Sequence, residues 1–581
     1  MLATTAFFAL SCMAHAGEIE RKWNSWIELG GYGGSDGSAR GETVIFHPFL
    51  QTDTTLLFAD IRGKFFSEDA QEGNLAFGYR RMLNSGWNAG IWSGLDIRRT
   101  ENDNVFYQAA LGLEFLSDRY DVRVNGYVPL NADPQVASSS ATVALSGSSI
   151  FMSGGQEMPL YGVDAEVGMK LAGFQIDPES NRLHELRLYG GGFWFSSDDA
   201  AEDIAGPAAR LEYRIENISS ILPGSRLTVE SEFSYDDVRE ERWEVGARFR
   251  IPFGGSDGEL SPLTAQERRM ADGLERDTDI VIGSSGKEMV ADATTDVVFE
   301  SVVQTDATSN LQTTANNAGS DVLIIVDGSA GDYSSGADVQ EDQTWQGGAS
   351  SIMVRGLESG VTASFTAPGS RPTVNNSTFS TIELEDNSHI AGFNINAVNA
   401  ATNWTALTVG NNGSNRAATN NTISTLADSA TGISLGNGNS DIYISGNSVT
   451  LAGDAIGISM SGTNTGIVID NNRINAPNGN GIFIGIFDND VRITNNVVSN
   501  SGDAFGLRID GDGTRAHIAN NRFEGAFGTD VIVLNETNGL GNILSGSGNI
   551  FDGTLGGVFC NVSGTHTGSI EFEGSVGNCP P

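Results

Sequence analysis

The sequence has few basic residues and no long apolar run, and each shortage excludes a class of protein. Its 581 residues contain 33 Lys and Arg against 73 Asp and Glu, a formal charge of −40. Because phosphate binding requires a positively charged surface, nucleic acid is not an expected partner. The chain has no apolar run of the roughly 18 residues that a transmembrane helix needs. A membrane protein of this composition has to cross with the strands of a β-barrel.

Glycine, in contrast, is abundant. The chain has 73 glycines, and 39% of its residues are apolar while only 18% are charged. Ordinary globular proteins contain roughly half that share of glycine and about 25% charged residues. This composition favours many short strands and turns over a helical enzyme, and it is too apolar for a disordered chain. The length allows two to four domains.

The first residues have the pattern of an export signal. Residues 2–13 form an apolar block, and a small-x-small motif, Ala-His-Ala, follows at 14–16. The pattern predicts a signal peptide at 1–16 that is cleaved after Ala16. A short buried helix is the alternative, but the charged stretch 18–22 disfavours it. No Lys or Arg precedes the apolar block, which indicates a truncated start.

Cysteine is scarce, and two of the three cysteines lie near the C-terminus. Removal of the signal peptide leaves Cys560 and Cys579. In an exported protein such a pair is expected to form a disulfide, and two separate thiols are the alternative. Neither cysteine has a His-rich neighbourhood that would indicate a metal or a catalytic site.

Residues 17–253 alternate between apolar and polar positions. The last of these segments has apolar residues at every second position, namely Trp243, Val245, Ala247, Phe249 and Ile251, with Glu244, Arg248 and Arg250 between them. About twelve such segments of roughly 9–12 residues lie between Trp23 and Phe253, the length that a tilted strand needs to cross a bilayer. A soluble β-sandwich would also alternate, but it gives no reason for Arg and Glu on so many inner faces. The pattern predicts a transmembrane barrel of about twelve antiparallel strands.

Several motifs in this region carry a family resemblance. They are LFAD (57–60), GYR (78–80), NGYVPL (125–130), GVD (162–164) and RFRIPFG (248–254). The region from 17 to about 285 resembles the β-domain of inverse autotransporters, the intimin/invasin-type outer-membrane proteins. The resemblance implies a twelve-stranded outer-membrane barrel with a passenger on its C-terminal side.

A linker, 254–289, follows the barrel. It begins with a breaker-rich stretch and continues as LTAQERRMADGLERDTDIVI, which predicts a short polar helix. In the family that the barrel resembles, this segment passes back through the pore. Its Arg and Asp side chains could pair there with lumen-facing Glu and Arg; the plainer alternative is a solvated helix, and the two are compatible.

Residues 290–581 repeat with a period of about 25. Asparagines recur at this spacing at Asn421, Asn447, Asn472, Asn496 and Asn521. A coil of this length with three short strands is the unit of a right-handed parallel β-helix. The series predicts a structural ladder of side-chain amides between coils, with ligand binding as the alternative. The region resembles the pectate-lyase-like superfamily, whose fold serves enzymes, tailspikes and adhesins and therefore settles no function.

A column of acidic residues follows the same spacing. Asp488, Asp512 and Glu536 are each 24 residues apart, and Asp490 and Asp510 flank them. The spacing predicts an acidic edge of the β-helix, which the plainer interpretation makes a solubilising turn. The alternative is that these residues bind a glycan or a hard cation such as Ca²⁺. Apart from this calcium no cofactor is expected, and the metal itself is unknown.

The C-terminal region lacks the residues that catalysis on this fold requires. It contains no Gly-His-Gly motif, its only Lys is Lys287, and residues 286–581 have 30 Asp and Glu against nine Lys and Arg. No catalytic residue is predicted. The modest candidates for an exposed contact site are the aromatic residues Trp345, Trp404, Phe483 and Phe487.

Together these patterns predict an all-β inverse autotransporter of the outer membrane. It would display its C-terminal β-helix on the cell surface for adhesion or for binding a ligand or glycan. A surface-tethered polysaccharide lyase or hydrolase is one alternative, and a structural spacer is another. The expected partners are outer-membrane lipid, the outer-membrane assembly machinery and an unknown receptor or glycan.

Overall fold

The computed structural model of the chain describes residues 22–35, 39–176, 182–218, 224–253, 263–276, 279–376, 380–398, 404–426, 428–485, 489–536, 539–574 and 577–580. The predicted signal peptide at 1–16, Phe487 and Asp488 lie outside these residues. The contacts group the chain into two units. The first comprises Met1–Ser140 and Gly154–Gly286, and the second comprises Ala141–Ser153 and Lys287–Pro581.

Most of the described residues in the first half of the chain are strands. These strands are β1 (Ser25–Gly34), β2 (Ala39–Gln51), β3 (Thr55–Phe66), β4 (Gln71–Met82), β5 (Trp87–Arg99), β6 (Val105–Ser117), β7 (Tyr120–Pro129), β8 (Gln135–Val136), β9 (Thr142–Ser146), β10 (Ser149–Ser153), β11 (Gln156–Pro159), β12 (Tyr161–Phe174), β13 (Leu183–Ser196), β14 (Ile204–Glu216), β15 (Arg226–Asp236) and β16 (Glu240–Phe253).

Shorter strands follow in the second half. They are β17 (Ile282–Ser284), β18 (Glu288–Asp292), β19 (Ser301–Asp306), β20 (Val322–Asp327), β21 (Ala337–Val339), β22 (Gln343–Gly347), β23 (Ser351–Gly356), β24 (Thr362–Thr366), β25 (Thr373–Asn376), β26 (Ser380–Leu384), β27 (Ser388–Ala391), β28 (Asn394–Ala397), β29 (Thr405–Val409), β30 (Ser414–Thr419), β31 (Thr422–Thr425), β32 (Thr431–Leu435), β33 (Ser440–Ser445), β34 (Ser448–Thr450), β35 (Ile456–Met460), β36 (Thr465–Asp470), β37 (Arg473–Ala476), β38 (Asn480–Ile484), β39 (Asn489–Thr494), β40 (Val497–Asn500), β41 (Leu507–Ile509), β42 (Arg515–Ala519), β43 (Arg522–Phe527), β44 (Ile532–Asn535), β45 (Asn542–Ser545), β46 (Ile550–Leu555), β47 (Cys560–Ser563) and β48 (His566–Gly568).

Helices are short. They are α1 (Ala265–Met270), α2 (Leu311–Ala318) and a 3₁₀ turn at Ser138–Ser140. Among the described residues, none of the helices has the length and apolar character that spanning a membrane requires.

The first unit is a closed barrel of twelve antiparallel strands, as the alternating pattern predicted. The strand order is β1-β16-β15-β14-β13-β12-β7-β6-β5-β4-β3-β2. The barrel closes between its first and last strands, where Leu29 lies opposite Phe249. The short strands β8, β11 and β17 form a separate three-stranded sheet in this unit.

Alternation along each barrel strand separates two environments. Leu111, Val163 and Trp243 point outward and are exposed, as expected for side chains that face lipid. Charged side chains at the intervening positions, such as Arg80 and Glu212, are fully buried inside the barrel. The period of two in the sequence therefore becomes an apolar outer face and a charged lumen.

Most of the second unit is a parallel β-helix, which confirms the predicted solenoid. Its described strands form three parallel sheets of eleven, nine and eight strands, and from β25 onward sequence neighbours fall into different sheets. Isoleucines stack from coil to coil, with Ile444 beside Ile469 and Ile469 beside Ile493, and all three are buried. Burial of each such side chain contributes about 1.5–3 kcal/mol, so contacts between neighbouring coils hold the solenoid together.

A fourth sheet of the second unit, with five strands, includes strands from a distant part of the sequence. It has the order β24-β23-β18-β10-β9, so it includes a hairpin, 142–153, whose sequence lies between two barrel strands. The alternating pattern predicts a barrel over all of 17–253, and this hairpin is the exception. The hairpin groups with the second unit because Ile150 and Met152 are buried in a cluster formed by residues of that unit.

Candidate functional site

Charged side chains inside the barrel are paired with one another. Arg250 Nε donates to Glu28 Oε2 at 2.9 Å, and Arg187 Nη2 lies 3.1 Å from Glu185 Oε2. All four residues are buried. A buried charge is tolerated only when it has a partner of opposite sign, so this lining can accept a further segment only if that segment supplies matching charges.

Such a segment runs inside the barrel and is called here the lumen segment, residues 263–276 and 279–282. It starts with α1, whose N-cap is Thr264. A capping box fixes this start, because Glu267 N donates to Thr264 Oγ1 at 3.3 Å and Thr264 N donates to Glu267 Oε2 at 2.7 Å. Two tryptophans near the start of the barrel bind the backbone of the segment: Trp23 Nε1 donates to Glu267 O at 2.8 Å, and Trp26 Nε1 donates to Ala271 O at 2.9 Å.

Asp272, just after α1, is the centre of an ion-pair cluster. Its carboxylate accepts from Arg226 Nη1 at 2.8 Å and from Arg214 Nη1 at 3.1 Å, and it also contacts Arg269. Arg214 and Arg226 belong to barrel strands, whereas Arg269 belongs to α1. Arg80 adds a hydrogen bond to Met270 O at 2.8 Å. One aspartate of the lumen segment therefore neutralises arginines from two barrel strands.

The rest of the lumen segment is bound in the same way. Arg276 donates to both carboxylate oxygens of Asp96, at 2.7 and 2.8 Å. Lys64 Nζ donates to Asp279 Oδ1 at 2.6 Å. Cations of the segment thus meet acids of the strands, and acids of the segment meet cations of the strands. The chain is held inside the barrel by these contacts along its length.

In the β-helix, the repeated asparagines form a continuous hydrogen-bond ladder. Asn447 N and Nδ2 both donate to Asn472 Oδ1 at 3.0 Å, and the same pair of bonds joins Asn472 to Asn496 at 2.9 and 3.0 Å. Asn421 and Asn521 continue the ladder in either direction. Each Nδ2 also donates to a backbone carbonyl, as Asn496 does to Ile469 O at 2.8 Å. These side chains are buried and fully engaged with one another, so the ladder has a structural role.

The residue before each ladder asparagine has a left-handed backbone conformation, which the spacing of the asparagines does not predict. Its φ is positive in every coil of the ladder, at Asn420, Gly446, Asn471, Asn495 and Asn520. Asn and Gly are the residues that adopt this left-handed region at least cost. The repeated Asn-Asn and Gly-Asn doublets in the sequence therefore encode two needs, a left-handed turn followed by an amide rung.

The C-terminal cysteines and part of the acidic column stabilise turns. Cys560 and Cys579 are joined by a disulfide. Glu536 is buried, and its carboxylate accepts from Thr565 N at 3.0 Å and from the backbone of Gly539 and Leu540. The Thr565 bond and the other backbone donors lower the pKa of Glu536, against the opposing effects of burial and of nearby Asp512. Both carboxylate oxygens of Glu536 thus accept hydrogen bonds from the protein backbone.

The other predicted acidic residues differ in exposure and in partners. Asp512 is buried, Asp490 is exposed, and Asp510 pairs with Arg508 Nη2 at 2.5 Å and accepts from Asn535 Nδ2 at 2.7 Å. Asp488 lies outside the described residues. Within the described part of the chain, no three His, Cys, Asp or Glu side chains converge as metal ligands would. The predicted calcium site stays a prediction.

The candidate aromatic residues separate into core and surface. Trp345 is fully buried in the core of the β-helix, and Trp404 packs against that core. Phe483 is half-buried in an outward row of the nine-stranded sheet, directly beside Arg508. The Arg508 guanidinium lies 6.0 Å from the Phe483 ring and 5.1 Å from the Phe505 ring. Of the described candidates, only Phe483 can reach a ligand on this face.

A buried polar cluster joins the start of the second unit to its first coils. Asp292, at the end of β18, lies 2.7 Å from His389 Nδ1 and accepts from Thr344 Oγ1 at 2.9 Å. His389 Nε2 lies 2.7 Å from Thr419 Oγ1. Burial opposes ionisation of Asp292, yet His389 and these hydrogen bonds hold its pKa below the usual value. The residues are far apart in sequence and follow no motif, so sequence analysis had no signal for them.

Comparison with known families agrees with the two units. Residues 27–177 match the family model described as inverse autotransporter, beta-domain, and residues 327–554 match that of the periplasmic copper-binding protein NosD. A search of curated proteins finds no significant match. The structure continues the barrel beyond the matched residues, to Phe253.

Two of the solved structures with detectable similarity are described as outer-membrane proteins. An outer-membrane channel from Pseudomonas putida has 13% identity, with 41% of this chain and 100% of that chain covered and a TM-score of 0.30. An outer-membrane protein of Acinetobacter baumannii has 8% identity, with 40% of this chain and 100% of that chain covered and a TM-score of 0.22.

The family matches and the topology lead to one assignment. The barrel contains the matched β-domain, the lumen segment runs inside it, and the parallel β-helix follows in the chain. The protein is therefore located in the outer membrane: it combines an inverse autotransporter β-domain with a parallel β-helix passenger of the NosD-like kind, which the β-domain anchors at the cell surface.

Proposed function

We propose that the passenger is an adhesin-like module that binds a glycan at the cell surface and has no catalytic activity. The observation that carries the proposal is the anchoring of the lumen segment. Asp272 and Arg276 bind buried charges of several barrel strands, so the passenger is joined to a segment that is costly to withdraw. Anything that such a tethered passenger binds becomes attached to the cell.

A non-enzymatic role is supported by the side chains available on the β-helix. Cleavage of a polysaccharide on such a surface needs a general acid and base in one place. Beyond Lys287 the sequence contains no lysine, and His517 is an exposed side chain beside Ser545. In the described residues, no group of three acids or histidines converges on this domain.

The copper in the name of the matched NosD family is not proposed for this chain. Copper sites are built from His, Cys and Met side chains. Here Cys560 and Cys579 are joined in a disulfide, and His389 is buried against Asp292. Over the described ranges no three His, Cys, Asp or Glu side chains meet as metal ligands would, so these histidines and cysteines do not fit a copper site.

The surface best suited to a glycan lies on the nine-stranded sheet. Phe483 and Phe505 offer apolar rings, and the Arg508 guanidinium lies near both. Asp510 and Asn535 add hydrogen-bonding groups at the ends of the neighbouring strands. An apolar platform with a few fixed polar groups is the usual composition of a small-molecule or sugar site.

The remaining partners follow from the barrel. Outer-membrane lipid would contact the exposed apolar band, which includes Leu111 and Val163. We also propose that the outer-membrane assembly machinery inserts the barrel. Nucleic acid is excluded on charge grounds, because the chain carries a formal charge of −40.

Binding of whole cells to a glycan array tests the proposal. Fluorescent cells that express the full chain are expected to bind particular glycans, and cells whose chain ends after Gly286 are not. The double variant Phe483→Ala/Phe505→Ala should lose at least about tenfold in binding, the equivalent of roughly 1.4 kcal/mol. Ser459→Ala, in the same outward row one coil away, is the matched control and should bind like the wild type. Equal binding by full-length and truncated cells on every glycan would overturn the proposal.

A further inference from the structure

The hairpin β9–β10 completes a sheet of the second unit at the first strand of the passenger. Phe151 of β10 lies opposite Met289 of β18, and Met152 lies opposite Glu288. On its other side β18 pairs with β23, which pairs with β24. The hairpin therefore occupies what would otherwise be a free edge of β18, and its pairing is antiparallel strand addition.

The hairpin also contributes to the apolar core beneath this sheet. Ile150 and Met152 are buried there together with Leu323 and Ile325 of β20. The backbone joins the same contact, because Val302 N donates to Ser148 O at 2.8 Å. Two fully buried apolar side chains contribute about 3–6 kcal/mol together, which is large for a segment of twelve residues.

The sequence of β20 shows that this cover is needed. Coils farther along alternate between apolar and polar residues, but β20 reads Val-Leu-Ile-Ile-Val and all five residues are buried. Val322, Ile324 and Val326 face the core of the β-helix, while Leu323 and Ile325 face the cluster with the hairpin. A strand that is apolar on both faces is stable only when both faces are covered.

The hairpin precedes the passenger in the sequence and is covalently joined to the barrel. β18 is the first passenger strand after the lumen segment, and the hairpin is linked by short connections to barrel strands β7 and β12. A partner tethered in this way meets its target at a high effective concentration. In a solenoid the first coil is the costly one, because every later coil is added to an existing neighbour.

We propose that the hairpin 142–153 is a folding template for the passenger. It offers β18 a preformed strand edge, and with Ile150 and Met152 it offers β20 an apolar surface. The first coil then forms against this template, and later coils are added from β22 onward. The barrel sequence thus encodes a step in the folding of a different unit.

A pulse-chase experiment on intact cells tests the template. Full-length Ile150→Asp/Met152→Asp is compared with Ala144→Asp, which places a charge on the exposed side of the same hairpin. The time at which the displayed passenger becomes resistant to added protease is measured. We expect the double variant to be at least tenfold slower than wild type and Ala144→Asp to be unchanged. Equal rates for the two variants would overturn the proposal.

A cross-link separates a template from a late stabilising contact. Cysteines introduced as Phe151→Cys and Met289→Cys occupy paired positions and are expected to form a disulfide when β10 and β18 meet. If the hairpin is a template, the cross-link forms before the passenger becomes protease-resistant. The same cysteine pair, added to Ile150→Asp/Met152→Asp, should restore part of the lost folding rate. A cross-link that appears only after resistance would contradict the template, even when the double variant fails to fold.

Discussion

At the scale of single residues, the β-helix depends on pairs of adjacent asparagines with different tasks. Asn495 has a φ of 57° and makes the turn, while Asn496 is a rung of the ladder. Asn496 accepts from Asn472 and donates to Asn521 and to Ile469 O. The two residues are chemically identical, so their substitution separates backbone conformation from hydrogen bonding.

We predict that Asn496→Ala lowers stability by about 2 kcal/mol, because it leaves buried donors and acceptors without partners. Asn495→Gly keeps the left-handed conformation and removes an exposed amide whose one hydrogen bond, to Asp470 Oδ1 at 2.8 Å, is open to solvent, so it should change stability by less than about 0.5 kcal/mol. Thermal unfolding of the full chain in detergent, followed by circular dichroism, measures both. Equal melting temperatures for the two variants would show that the ladder contributes nothing.

The buried Asp292 predicts a dependence on pH. Its pKa in the folded chain lies below the usual value, despite burial, because His389 and hydrogen bonds favour the carboxylate. A carboxylate with a lowered pKa stabilises the fold above the pKa of the unfolded state, about 4, and this contribution disappears as pH falls through the folded value. His389 is the titratable side chain that faces it directly.

Asp292→Asn should therefore destabilise the second unit by about 3 kcal/mol at pH 7, since it removes one partner of a buried pair. Below about pH 4 the difference between variant and wild type should shrink, because the wild-type carboxylate is then losing its charge as well. The measurement is the melting temperature of both proteins at pH 7 and pH 3. A difference of the same size at both values would contradict an ionised Asp292.

At the scale of elements, we expect the lumen segment to control whether ions can pass through the barrel. Its short helix α1 is too small to be stable alone, so its position depends on contacts such as those of Asp272 with Arg214 and Arg226. Removal of that carboxylate takes one counter-charge from Arg214, Arg226 and Arg269, which keep Glu212, Glu216 and Asp121 as their remaining acidic partners. The loss of these buried hydrogen bonds costs roughly 1–3 kcal/mol, which weakens the hold of the barrel on the segment.

We predict that Asp272→Asn increases the ion conductance of the purified full chain in planar bilayers. The increase should appear as more frequent or longer open events at low voltage. Asp103→Asn is the matched control, because Asp103 pairs with Arg99 in an exposed turn and should leave conductance unchanged. Conductance of Asp272→Asn equal to that of the control would mean that the other contacts suffice to keep the segment in place.

Elements with a regular period were predictable from the sequence, and those without one were not. The barrel strands have a period of two, and the coils a period of about 25, because burial recurs at fixed intervals in both folds. The hairpin at 142–153 also alternates, so its pattern could not distinguish a barrel strand from a strand of the passenger unit. Only its partner β18, far away in sequence, decides its place.

The predicted site residues divide in the same way, into those with a regular spacing along the sequence and those without one. The rungs of the asparagine ladder could be read from spacing, because each coil contributes one residue at the same turn. The spacing of Asp512 and Glu536 suggested an exposed edge, but spacing does not report which side of the turn a side chain occupies, and both are buried. The cluster of Asp292 and His389 depends on tertiary contact alone and left no trace in the sequence.

At the scale of the whole molecule, the two units use charge differently. Arginines and acids of the barrel are buried and paired in its lumen, as Arg250 is with Glu28. Residues 286–581 have 30 acids and only nine basic residues, so most of their negative charge has no partner of opposite sign. A surplus of one sign keeps a displayed domain soluble and repels anionic surfaces. The charge distribution is thus suited to an anchored barrel and an exposed passenger.

Surface display can be tested by protease treatment of intact cells that express the full chain. Protease should remove passenger fragments from residues 290–581, while the barrel remains protected in the membrane. A folded β-helix resists cleavage, so Asn496→Ala, which weakens one rung, should release passenger fragments faster than Asn495→Gly. A periplasmic marker protein must stay intact in the same samples to show that the protease did not enter. Passenger that is cleaved only after the outer membrane is permeabilised would contradict display, because it would place the β-helix on the periplasmic side.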